Sequence, residues 1–98
     1  MLVMLAYDVP STKYQTLLRK EFESLGGTRV QYSLYIFEGE DHECERIIRY
    51  MRRVANSIPE GDVRLLPMDR SVWEQQIMLL GDIPPPPRRV LSAFIIVW

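Results

Sequence analysis

The first eight residues, Met1-Leu2-Val3-Met4-Leu5-Ala6-Tyr7-Asp8, constrain the rest of the chain most. They form an unbroken apolar run ending in one carboxylate, and Pro10 with Ser11-Thr12 stops it at once. A short apolar run closed by turn residues reads as a strand buried on both faces, since a half-exposed strand would alternate. An acid at the end of such a strand sits on the rim of the sheet, within reach of metals and phosphates. The same acid is also placed to help cap a following helix.

A helix does follow. From Ser11 to Leu25, the residues Tyr14, Leu17, Leu18, Phe22 and Leu25 recur at helical spacing, with Lys13, Arg19, Lys20, Glu21 and Glu23 elsewhere. This is one buried stripe on an amphipathic helix, with Ser11 or Thr12 to cap it and Gly26-Gly27 to end it. Thr28–Glu38 is rich in β-branched and aromatic residues and reads as strand. Alternation places Val30, Tyr32, Leu34 and Ile36 on one face and Gln31, Ser33, Tyr35 and Phe37 on the other.

Glu40–Ser57 is a second helix, with Ile47, Ile48, Met51, Val54 and Ala55 as its core stripe and Arg46, Arg49, Arg52 and Arg53 opposite. Its early acids and late arginines suit the helix dipole, at about 0.3–1 kcal/mol each, which is a sufficient structural reason for much of that pattern. Pro59-Glu60-Gly61-Asp62 is a turn, Val63–Met68 a strand with Pro67 marking an edge or an end, and Asp69-Arg70-Ser71 a break. Gln76–Leu80 is expected to be a short strand ending at Gly81. Pro84–Pro87 is a stiff spacer, and Val90–Trp98 is again apolar and strand-like.

This order points to an α+β fold, a ferredoxin-like βαββαβ sandwich with two helices on one face of an antiparallel sheet. The 98 residues fit a single domain, a core over 1–82 followed by the spacer and last strand over 83–98. That fold needs a hairpin between its helices, and Thr28–Glu38 carries no Asn-Gly or Gly-Gly to mark one. The fold also leaves one sheet face bare, while the first and last strands are apolar on both faces. Burying one large aliphatic side chain is worth about 1.5–3 kcal/mol, so something must cover that face. A second copy is the simplest candidate: a sheet-to-sheet homodimer, with C-terminal strand exchange across the proline spacer.

Composition narrows the chemistry. One cysteine, Cys44, excludes an intramolecular disulfide framework and a cysteine-based zinc cluster. The opening apolar run is too short for a signal peptide or a membrane span, and a soluble cytoplasmic protein with no membrane partner is expected. Net charge is −1, against a strongly basic nucleic-acid binder. The basic residues are nevertheless ten Arg to two Lys, and the planar guanidinium suits phosphate. His42 and Cys44 are about 200° apart on a helix and do not chelate one metal. No nucleophile–His–Asp order or phosphate-cradling glycine loop stands out. Asp8 remains: Mg²⁺ is often held by one or two carboxylates and its own waters, and a dimer axis near the strand end would bring two Asp8 side chains into one cleft.

Tyr7-Asp8-Val9 ending an apolar first strand, Gly26, and then Arg29-Val30-Gln31-Tyr32-Ser33 resemble the small CRISPR-associated endonuclease family, the smaller of the two proteins shared by most spacer-acquisition systems. The VRLLPM strand and Leu80-Gly81 extend the likeness over most of the chain. The resemblance implies a ferredoxin-like homodimer that exchanges C-terminal strands and bridges copies of the CRISPR integrase. It implies metal-dependent cleavage of RNA or DNA in some members, here expected with Mg²⁺, with Asp8 as catalytic and metal-binding acid and Arg29 and Ser33 at the nucleic acid. Lys13, Arg88 and Arg89 complete the expected phosphate contacts. Where the family usually has Val-Phe after the serine, this chain has Leu34-Tyr35. The alternative is a non-catalytic adaptor that lays DNA across the dimer. A small-ligand sensor on the same fold would need a glycine-rich loop, which the chain lacks.

Overall fold

The computed structural model describes residues 1–81. Arg88, Arg89, the proline spacer and the C-terminal apolar run lie outside the described residues. β1 (Leu2–Asp8) is flanked on both sides by antiparallel partners, β3 (Leu34–Glu38) and β4 (Asp62–Met68). β2 (Thr28–Gln31) adds outside β3, so the sheet order is β2-β3-β1-β4. With α1 (Thr12–Ser24) after β1 and α2 (Asp41–Ala55) after β3, this is the βαββαβ order of a ferredoxin-like sandwich.

Both helices lie on one face. Leu18 and Phe22 of α1 and Cys44, Ile47 and Met51 of α2 close over Val3, Leu5, Tyr35 and Phe37 of the sheet. Cys44 is the buried small hydrophobe its position suggests, and burial pushes its thiol pKa up. His42 is exposed.

The hairpin inside 28–38 is a two-residue turn, Tyr32-Ser33. Ser33 takes a left-handed φ of 64°, the position where glycine or asparagine would have announced the turn. A hydrogen bond from the Tyr7 N–H to the Ser33 carbonyl, at 3.3 Å, ties that turn to β1. The pairing of β2 with β3 also shifts register between Arg29 and Gln31. Simple alternation therefore fails here: Gln31 sits opposite Leu34, on the face away from the helices, and not with Tyr35.

Two further expectations are corrected. Gln76–Leu80 forms no strand; instead a short helix, α3 (Arg70–Glu74), follows β4 directly. The face away from the helices is also not bare. Trp73, only 5% exposed, lies over Leu2 and Ile36 with Met4, Val30 and Met68 around it. Asp69 turns the chain at the N-cap of α3, and the Arg70–Glu38 ion pair holds the helix against the end of β3.

Candidate functional site

Strand register builds the site. Asp8 is the last residue of β1 and Asp62 the first of β4, and they are directly opposite one another. Asp8 alternates with Leu2, Met4 and Ala6, so it belongs to the sheet face away from α1 and α2. Both acids are exposed. With Arg64, Gln31 and Ser33 they line a shallow depression of about 320 Å³.

The backbone around the pair is tightly specified. Gly61 has φ of 114°, and a Cβ placed on it would lie 2.6 Å from the Asp8 carbonyl oxygen and 2.9 Å from Val9 Cα. Only glycine lets the turn before β4 approach the end of β1 so closely. Val9 is buried, and its carbonyl accepts a hydrogen bond from Gln15 Nε2 at 2.6 Å. Ser11, not Asp8, occupies the N-cap of α1, and its carbonyl accepts from the Tyr14 and Gln15 N–H groups. The capping role open to Asp8 is thus taken elsewhere.

On the helix side of the same rim lies a second, smaller cleft of about 160 Å³. Arg19, Arg29, Thr12, Gln15 and Tyr32 line it, and Tyr7 and Ser33 border both cavities. Tyr7 stacks on Tyr35 with ring centroids 6.3 Å apart, and burial raises its hydroxyl pKa. Its side chain packs with the helix-side core, away from Asp8.

The expected site residues are therefore only partly brought together. Asp8 and Ser33 share the first cavity, and Arg29 joins Ser33 in the second. Lys13 extends over the ring of Tyr14, 5.3 Å from its centroid, and lines neither. Asp62, Arg64, Arg19 and Gln15 are additions. Asp62 reads as a turn residue in sequence, and only its pairing with Asp8 gives it a face. Among the described residues no three His, Cys, Asp or Glu side chains converge as a metal cluster. The donor set of two carboxylates suits a hydrated hard cation such as Mg²⁺ better than zinc.

Comparison with known proteins follows the same lines. The family model described as CRISPR associated protein Cas2 matches residues 1–76. The chain belongs to the Cas2 family. A CRISPR-associated role goes with that membership. Among solved structures, the Cas2-family chain is similar to a hypothetical protein, TT1823, from Thermus thermophilus. Identity is 26% and the TM-score 0.61, over 87% of this chain and 95% of the other. No curated protein matches it. Among the described residues no helix is long and apolar enough to cross a membrane.

Proposed function

We propose that this Cas2-family chain is a Mg²⁺-dependent phosphodiesterase acting on RNA or DNA during CRISPR spacer acquisition. The observation that carries the reading is the register pairing of Asp8 with Asp62. Like charges directly opposite in a sheet destabilise it, and neither acid makes an ion pair or hydrogen bond among the described residues. A bound cation resolves the repulsion. Asp8 and Asp62 would hold it; the ion supplies Lewis acidity toward a phosphodiester oxygen and a water of lowered pKa. Arg29 and Arg19 take phosphate oxygens on the helix side, Arg64 approaches from the acidic side, and Ser33 fixes the turn between them.

The apolar strip left on the open face beside Trp73, with Leu66 45% exposed, supports a sheet-to-sheet homodimer. Exchange of the C-terminal strand and contact with the CRISPR integrase belong to the same proposal, as do Arg88 and Arg89 as phosphate contacts. Sedimentation as a monomer at micromolar concentration would count against the dimer. A second reading, a non-catalytic DNA-holding adaptor, draws on Arg46, Arg49, Arg52 and Arg53, all exposed on α2.

Cleavage of labelled single-stranded RNA and linear duplex DNA, with Mg²⁺ or EDTA, separates the two. The enzyme reading expects cutting that needs both the metal and Asp8. Equal cutting by Asp8→Asn, or no cutting of either substrate, leaves the adaptor.

A further inference from the structure

Tyr32 is 72% exposed, the most exposed aromatic side chain among the described residues that stands beside a cationic cleft. It is not loose. The two-residue turn fixes its backbone, with Ser33 at positive φ and the Tyr7–Ser33 hydrogen bond behind it. Its hydroxyl donates to Gln15 Oε1 at 3.3 Å, while Gln15 Nε2 holds the Val9 carbonyl next to Asp8. Gln15 therefore braces the loop after Asp8 and the ring of Tyr32 together.

One face of that ring is covered by Arg29, whose guanidinium carbon lies 5.5 Å from the ring centroid. The high exposure of the residue leaves the other face open to solvent. The adjoining cleft offers Arg19 and Arg29 with the hydroxyls of Thr12 and Thr16; no carboxylate lines it, and among the described residues Arg19 is engaged only by Glu23, one turn on, in a solvent-exposed ion pair at 3.2 Å. A π-face held rigid by its neighbours, beside guanidinium groups that suit phosphate, is the arrangement that binds an unpaired nucleobase. Preorganisation by the Gln15 bond reduces the ordering cost on binding.

We propose that Tyr32 is a stacking platform for an unpaired base of single-stranded RNA or DNA, with the adjacent backbone phosphate on Arg19 and Arg29. The inference rests on the nucleic-acid reading of the previous subsection and deepens it by naming the substrate as single-stranded. Base pairs inside a duplex stack on both sides and have no free face to offer, so binding along a duplex does not use this ring. Because Tyr7 and Ser33 border both cavities, a strand anchored on Tyr32 passes the hairpin tip toward Asp8 and Asp62.

The test is equilibrium binding in EDTA, which stops turnover. The ligands are a single-stranded oligonucleotide, the same strand carrying abasic sites, and a covalently closed circular duplex, which has no end faces. Tyr32→Leu should weaken single-strand binding roughly ten- to a hundredfold, and Tyr32→Phe should retain most of the affinity. Abasic substitution should weaken wild type by a similar factor and leave Tyr32→Leu nearly unchanged, while duplex affinity should not move. Thermal melting of each variant confirms folding. Equal single-strand affinities for wild type and Tyr32→Leu overturn the platform and leave the nuclease reading standing. Absence of binding to any nucleic acid by the wild type in EDTA, together with no cutting in Mg²⁺, overturns both.

Discussion

Asp8 and Asp62 face one another across the β1–β4 ladder, the last residue of one strand against the first of the next. Directly opposed residues in an antiparallel pair have Cβ atoms about 4.5–5.5 Å apart, and like charges there work against folding. The same closeness suits a shared cation. Two effects of opposite sign follow for Asp62→Asn and Asp8→Asn. Without divalent metal, each should melt at or above the wild-type temperature, a gain of at most about 1 kcal/mol. With Mg²⁺ or Mn²⁺, wild type should gain stability by linkage, and both variants should lose most of that gain. Differential scanning fluorimetry across a metal titration reads both effects. Equal metal-induced shifts in all three proteins would remove Asp62 from the site.

Gly61 sets the distance between those acids. Its φ of 114° and the 2.6 Å that would separate a methyl group there from the Asp8 carbonyl oxygen are separate obstacles to any side chain. Gly61→Ala is expected to lower unfolding stability by more than about 1–2 kcal/mol, measured by urea denaturation. The chain must relax by moving β4 away from Asp8, so metal-induced stabilisation should fall as well. A variant that loses stability but keeps the full metal response would show that the approach serves the fold alone.

The buried thiol of Cys44 gives the stability a pH dependence. Burial raises its pKa in the folded state, and the unfolded chain ionises first as pH rises. The contribution is therefore fully present below the unfolded thiol's value, about 8.5, and is lost progressively as pH rises towards the folded value. Urea midpoints should fall as pH rises above about 8.5, and the fall should be smaller in Cys44→Ala. Tyr7 shifts in the same direction but from a higher starting value, so it acts later. An unchanged slope in Cys44→Ala would assign the alkaline loss to other groups.

The parts legible in the sequence are those where one period dominates. Val3 and Leu5 bury on the helix face and Leu2 on the other, as an unbroken apolar strand requires, and the stripes of α1 and α2 carry Leu18, Phe22, Ile47 and Met51 inward. The hairpin is not legible, because Ser33 fills a left-handed position without being glycine or asparagine. The register shift beside it then moved Gln31 to the other face, which no alternation rule contains. Asp8 stood out because it ends a strand. Asp62 did not, because its importance comes from pairing 54 residues away, and register between distant strands is set by packing that a local pattern does not hold. Trp73 is not legible for a related reason: five helical residues are too few to show a period.

Trp73 is the residue through which the chain covers part of its own open sheet face. It buries against Leu2 and Ile36, while Met4, Val30 and Met68 pack around it only partly covered. A groove of about 480 Å³ continues beside it, bordered by Leu34, Val72, Met78 and Leu80. Truncating a well-buried tryptophan costs about 3–5 kcal/mol, and here the loss should reach α3 first, since the Arg70–Glu38 ion pair that also holds it is half exposed on its arginine side and contributes less than the tryptophan's burial. Trp73→Ala is expected to release α3, raise binding of a hydrophobic dye, and leave β1 and the Asp8–Asp62 register in place. Amide hydrogen exchange distinguishes the outcomes: protection should drop over 69–76 and persist in β1 and β3. Uniform loss of protection across the sheet would mean that α3 belongs to the core cooperatively and is not a cover laid over it.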